Sequence, residues 1–168
     1  MTKKVFSLSN IDIFMFDFDG VLTNNLVHTN QDGQEFVSCS RSDGLAFDAF
    51  RKLKKPSLIL STEKSLVVSA RAKKLKIPCM QGVSDKAEAI KNYVIEGSYD
   101  IEKILFVGND INDFRAMEIC GYSVCPSDSH YKIKQIADIV LESKGGEGVV
   151  RELVENILEI DLLEVLYN

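Results

Sequence analysis

Four consecutive apolar residues, Ile13-Phe14-Met15-Phe16, run directly into Asp17-Phe18-Asp19-Gly20. An unbroken apolar run of that length, with aromatic and β-branched members, predicts a strand buried on both faces, as in a parallel sheet. Ending such a strand on a carboxylate is expensive unless a cation or hydrogen bonds compensate it. In open parallel sheets ligands bind at the carboxyl ends of the strands. The stretch therefore predicts an aspartate held at the rim of a rigid core, with capping of the following turn as the simpler alternative for Asp17 and Asp19.

The same pattern recurs along the chain. Ser57-Leu58-Ile59-Leu60 ends at Ser61-Thr62-Glu63, and Ile104-Leu105-Phe106-Val107 ends at Gly108-Asn109-Asp110-Ile111-Asn112-Asp113. Shorter strands are expected at Cys79 to Gln81, Tyr122 to Cys125 and Ile139 to Leu141. Between them, helical spacing predicts helices opening at Ser42-Asp43-Gly44, with Leu45, Phe47, Ala49, Phe50 and Leu53 apolar, and over Ser65 to Lys74, with Leu66, Val67, Ala70 and Leu75 apolar. Others open at Ser84-Asp85-Lys86, after Asp113 and at Tyr131. A final amphipathic helix starts near Val149 and carries Leu153, Val154, Ile157 and Leu158. Strands alternating with helices of this length imply right-handed βαβ units and a doubly wound α/β sheet. Two extended segments, Leu26 to Thr29 and Glu35 to Ser38, flank Asn30-Gln31-Asp32-Gly33, whose Asp-Gly signals a hairpin. It would project beside the first strand end as a small flap. With 168 residues and no linker or repeat, one domain over 1–168 is expected.

Composition narrows the partners. A net charge of −5 argues against nucleic acid or an anionic membrane, and no apolar run approaches the roughly 20 residues of a membrane span. The basic Met1-Thr2-Lys3-Lys4 is followed by polar residues, against a signal peptide. Cys39, Cys79, Cys120 and Cys125 lack metal-type pairing and read as reduced thiols of a cytoplasmic protein.

Three strand ends deliver Asp17 and Asp19, Ser61, and Asn109, Asp110 and Asp113 to one sheet edge, and Lys86 arrives on a helix start nearby. Oxygen-only ligands suit Mg²⁺, a carboxylate can serve as nucleophile, and its neighbour two residues on can exchange protons. Ser61 can donate to a phosphoryl oxygen. A lysine in the first helical turn opposes the helix dipole, so Lys86 either points to water or pairs with anions.

Asp17-Phe18-Asp19-Gly20-Val21-Leu22-Thr23, Ser61, Lys86 and Gly108 to Asp113 resemble the four motifs of the haloacid dehalogenase-like phosphatases. Gln81-Gly82-Val83-Ser84-Asp85-Lys86 and Gly145-Gly146-Glu147-Gly148-Val149-Val150-Arg151-Glu152 are similar to the capless branch. Its members act on 3-deoxy-manno-octulosonate 8-phosphate or on nine-carbon, sialic-acid-like 9-phosphates. The resemblance implies a Rossmann-like core without a cap domain, Asp17 as nucleophile, Asp19 as general acid/base, and Ser61 and Lys86 as phosphate binders. It also implies Mg²⁺ held by Asp17, the Asp19 carbonyl and the Gly108-to-Asp113 loop, with Asp113 among the ligands and Asn109 or Asp110 as the other, since many relatives carry Asp at Asn109. Members of the branch form tetramers in which a neighbour closes the site. Here the Gly145-to-Gly148 segment and a long C-terminal helix ending at Leu162-Leu163-Glu164-Val165-Leu166 would serve that purpose.

Octulosonate phosphatases usually have Thr-Gly-Arg where this chain has Ser61-Thr62-Glu63. Glu63 with Lys74 resembles the nine-carbon enzymes and implies a nonulosonate 9-phosphate substrate, Glu63 meeting sugar hydroxyls and Lys74 or Arg71 the sugar carboxylate. Two other classes compete with the phosphatase: a non-catalytic oligomerisation module partnering a sialic-acid cytidylyltransferase, and a phospho-accepting receiver.

Overall fold

The computed structural model describes residues 4–168; Met1, Thr2 and Lys3, which entered the reading of the N-terminus, lie outside it. β1 (Ile13–Phe16) is followed by the hairpin β2 (His28–Thr29) and β3 (Glu35–Phe36), then α1 (Ser42–Lys52), β4 (Ser57–Leu60), α2 (Leu66–Leu75), β5 (Cys79–Met80) and α3 (Lys86–Gly97). The second half contains β6 (Ile104–Val107), α4 (Phe114–Ile119), β7 (Tyr122–Cys125), α5 (Tyr131–Ile136), β8 (Ile139–Val140), α6 (Val149–Glu152) and α7 (Leu162–Tyr167).

Six strands form one parallel sheet in the order β5-β4-β1-β6-β7-β8. The chain winds outward from β1 on one side and then on the other, so β1 lies where the winding reverses and ligand crevices open. All residues of β1, β4 and β6 are buried, which is why these strands read as apolar runs rather than alternations. Successive side chains take opposite faces. Phe14 and Phe16 enter the cluster under α1, α2 and α6, whereas Ile13 and Met15 enter the one that includes Ile90, Met117 and Ile133. Phe14 stacks on Phe50 at 4.2 Å and Phe16 meets Phe47 edge-on at 5.2 Å, fixing α1 over β1.

The predicted elements are present, with three differences. Leu45 and Leu66 lie on solvent faces, Leu66 being 83% exposed, because α1 and α2 need only one stripe against the sheet. The hairpin strands are two residues each, around a turn in which the Asn30 Oδ1 accepts the Asp32 and Gln34 N–H groups. The long C-terminal helix is broken. After α6 the backbone makes a π-type turn over Leu153–Ile157, Glu159 adopts φ +52°, and Asp161 caps a new helix by accepting the Leu163 and Glu164 N–H groups. Leu158 and Leu162, on either side of that turn, are both buried. Among the described residues no helix is long and apolar enough to cross a membrane.

Candidate active site

Pairing of Phe16 with Ile59 and with Val107 brings the residues after β1, β4 and β6 to one edge. The Asp17 N–H continues the ladder to the Val107 carbonyl (2.9 Å), and the Ser61 N–H donates to Met80 (2.9 Å). Both side chains are therefore aimed by the sheet itself.

Asp17 is 4% exposed. Its Oδ1 accepts the Phe18 N–H at 2.7 Å and contacts Lys86 Nζ at 2.6 Å. Lys86, 2% exposed, sits at the start of α3, where Asp85 supplies the cap by accepting the Glu88 N–H. Of the two readings left open for Lys86, pairing with anions holds. Its Nζ also donates to Asp113 Oδ1 at 2.6 Å. Asp113 is fully buried, and its Oδ2 accepts the backbone N–H groups of Asn109 (2.8 Å) and Asp110 (3.3 Å). One ammonium thus serves two buried carboxylates. Burial, then the Asp113 charge, pushes the Asp17 carboxyl well above the usual carboxylate range, against the pull of Lys86 and the Phe18 N–H. Burial works against the Lys86 charge, but the two carboxylates outweigh it and hold the ammonium above the ordinary lysine value. One ammonium cannot balance two ionised carboxylates, so Asp17 either holds a proton or is met by a second cation.

The donors for such a cation are at hand. Asp17 Oδ2 accepts no bond among the described residues. The Asn109 Oδ1 is buried without a partner, an orphan that a metal would satisfy. A side chain at Gly20 (φ +83°) would run into the Asn109 amide, so only glycine fits there. Asp110 lines the cavity, although its Oδ1 accepts the Ile111 N–H at 2.7 Å. The expectation that Asp113 is a ligand is corrected, because both its oxygens are committed to Lys86 and the loop backbone. Among the described residues no three His, Cys, Asp or Glu side chains form a ready-made cage. One carboxylate with neutral oxygens and open positions is the donor set Mg²⁺ accepts while keeping several waters.

A cavity of about 350 Å³ opens in front of Asp17 and Asp19, walled by Glu63, Asn109, and the flap residues Asn25 and Glu35. Asp19 is half-buried. Burial and then the Glu63 charge raise its carboxyl above the usual range, with Glu35 adding to that and the Thr23 hydroxyl opposing it. Ser61 is buried, and its Oγ accepts the Glu63 N–H at 3.1 Å, which leaves its proton for a ligand. Glu63 reaches the cavity as expected, but Lys74 and Arg71 do not. They face a separate depression between α1 and α2, where the Arg71 Nη2 donates to the Ser40 carbonyl at 2.7 Å. Arg71 and Lys74 share the stripe of Val67 but lie about one and two helical turns farther along α2, beyond the part of the helix that walls the cavity. Sequence reasoning missed Asn25, Val27, Glu35 and Val37 as cavity residues; the hairpin signal located the flap without saying which side chains face inward.

A model of the haloacid dehalogenase-like hydrolases matches residues 59–153. The chain belongs to that family. It is 30% identical over 159 residues to the 3-deoxy-D-manno-octulosonate 8-phosphate phosphatase of Salmonella typhi, covering 94% of this chain and 82% of that one. The crystal structure of a haloacid dehalogenase family hydrolase from Streptomyces avermitilis superposes with a TM-score of 0.92 at 39% identity, over 96% and 93% of the two chains. The 3-deoxy-D-manno-octulosonate 8-phosphate phosphatase of Moraxella catarrhalis, solved with magnesium, phosphate and the sugar acid, has a TM-score of 0.85 at 27% identity, over 89% and 87%. Within the family this chain has the core sheet, and the link from β1 to β4 holds only the hairpin and α1.

Proposed function

We propose that this phosphoric monoester hydrolase is a Mg²⁺-dependent phosphatase of a 2-keto-3-deoxy sugar acid phosphate. The observation that carries the reading is the Asp17–Lys86–Asp113 arrangement facing the orphaned Asn109 oxygen, a buried anionic centre built to receive a cation and a phosphate together. Asp17 attacks phosphorus, forming an aspartyl-phosphate while the leaving oxygen takes a proton from Asp19. Asp19 then accepts a proton from water, and that water releases phosphate and regenerates Asp17. Lys86 and the Ser61 hydroxyl neutralise charge on the phosphoryl oxygens. A magnesium ion held by Asp17, the Asp19 carbonyl and Asn109 would supply further positive charge there and hold the phosphate in line with Asp17.

The relatives named above favour the eight-carbon substrate. Glu63 lining the cavity in place of the usual motif favours a nine-carbon acid as the second reading. Among the described residues no lysine or arginine lines the cavity, so the sugar carboxylate needs a cation from elsewhere. Arg71 and Lys74 of a neighbouring copy are the proposed source, in a homotetramer whose contacts include the exposed flap residues Leu26, Val27 and Phe36. The test is phosphate release with Mg²⁺ from both sugar acid phosphates, comparing kcat/KM, with Asp17→Asn as the inactive control. No release from either would overturn the reading and leave the oligomerisation module standing.

A further inference from the structure

Thr23 is fully buried in the turn after Asp19, and its hydroxyl has three neighbours. The Gly20 N–H and the Asn25 N–H both donate to Thr23 Oγ1, each at 3.2 Å. Asp19 Oδ1 lies 3.4 Å from the same atom. A hydroxyl has two lone pairs and one proton. With both lone pairs engaged by backbone N–H groups, the proton has one direction left, toward Asp19 Oδ1. No other hydrogen bond to the Asp19 carboxyl is present among the described residues.

The turn that carries Thr23 is itself held rigidly. Thr23 bridges Cys39 in antiparallel pairing, and the Gly146 N–H donates to the Val21 carbonyl at 3.0 Å. Gly145 packs so closely on the carbonyls of Gly20 and Thr23 that any side chain there would collide with them. The threonine hydroxyl is thus a fixed donor rather than a free rotor.

We propose that Thr23 is a positioning residue that fixes which oxygen of Asp19 carries the proton. A donor on Oδ1 makes that oxygen the acceptor end of the acid. The proton then resides on Oδ2, from which it passes to the leaving oxygen as the P–O bond breaks. This rests on the phosphatase reading above. It assigns a role to a residue of the first motif outside the two aspartates, and it predicts a specific kinetic pattern. Without Thr23 the acid can rotate or present the wrong oxygen, which harms substrates whose leaving group needs protonation. An aryloxide leaves as a stabilised anion and needs that proton far less.

The experiment compares kcat/KM, which reports steps through departure of the leaving group, for glycerol 2-phosphate and 4-nitrophenyl phosphate in the Mg²⁺-loaded enzyme. Thr23→Val should lower the alkyl phosphate value by about 10²-fold, the scale of general acid catalysis, and the aryl value by only a few-fold. Thr23→Ser, which keeps the hydroxyl, should restore most of the loss. Combining Thr23→Val with Asp19→Asn should cost no more on the alkyl substrate than Asp19→Asn alone, as for two residues acting through one proton. If the valine variant does not fold, Thr23→Ala is measured in its place against the same serine control. Equal losses on both substrates, or additive losses in the double variant, would overturn the proposal and make Thr23 a purely structural residue. A wild-type enzyme inactive on both esters and on the sugar acid phosphates would instead overturn the phosphatase reading.

Discussion

Replacing Lys86 by methionine tests the charge balance on which the site depends. Methionine roughly preserves volume and length, so the variant removes the ammonium without opening a large void. Two carboxylates then face each other with nothing between them. Both oxygens lie 2.6 Å from Nζ, so they are no more than about 5 Å apart. At an effective dielectric of about 20, two like charges at that separation repel by about 3 kcal/mol. Breaking a buried pair by removing one partner typically costs about 3–5 kcal/mol, so the two estimates agree.

The penalty depends on pH, and its sign follows from Asp17. Its carboxyl is already raised by burial and by Asp113, and losing Lys86 raises it further. A carboxylate whose folded value lies above its unfolded value costs stability once pH exceeds the unfolded value, and the cost is complete above the folded one. Lowering pH protonates one carboxylate and relieves the repulsion. Wild-type Asp17 is already raised to about 8, so the two proteins differ only where it ionises. Urea midpoints of metal-free protein should therefore show the variant about 3 kcal/mol less stable than wild type at pH 10, with the gap narrowing toward pH 7. In the Mg²⁺-loaded enzyme, kcat/KM should fall by about 10²–10³-fold, as when a group aimed at developing charge is removed. A variant equally stable at both pH values, or one retaining activity within a few-fold, would refute the view that one lysine balances two buried aspartates.

Asp43 offers a second pH measurement away from the site. Its Oδ1 accepts the Val150 and Arg151 N–H groups at 2.9 and 3.0 Å, whereas its buried Oδ2 has no partner, and burial pushes its carboxyl up from 3.8 to about 6 despite those two bonds. That rise corresponds to about 3 kcal/mol of stability lost as pH climbs through this range. Asp43→Asn keeps the acceptor and should flatten the decline between pH 4 and pH 7 by about that amount in urea titrations; parallel curves would show that the charge is not buried. Asn109→Asp adds a charged ligand at the orphaned position and should tighten Mg²⁺ binding about tenfold by calorimetry, about 1.4 kcal/mol, while no change would remove Asn109 from the donor set. Chelating the metal should abolish measurable binding of inorganic phosphate, and binding that persists at full strength in EDTA would show that Lys86 and Ser61 suffice.

The sheet was legible because β1, β4 and β6 are buried on both faces and have to be written as apolar runs, and the polar residues ending each run lie together because parallel pairing places them so. The break before Asp161 was not legible, since Leu158 to Leu166 keeps helical spacing across it and the apolar pattern alone does not mark the positive φ of Glu159. Lys74 and Arg71 were misplaced for a different reason: spacing along α2 puts them on the stripe of Val67 but does not say how far down the helix the cavity reaches.

Asp113 shows the deeper limit. Its type and position fit a metal ligand, and only the hydrogen bonds reveal that both oxygens are spent on Lys86 and the Asn109–Asp110 backbone. The same bonds explain why an asparagine can stand at 109. The loop is held by Asp113, so residue 109 need not anchor it and can present a neutral oxygen. The neighbouring pair Asp17 and Asp113 already leaves one negative charge unbalanced. An aspartate at 109 would deepen that surplus in the metal-free protein, to the detriment of folding, while strengthening the site once a cation is present. If Asn109 holds the proposed cation, it trades metal affinity for stability of the empty site, a compromise that follows from the charge balance and not from any single motif.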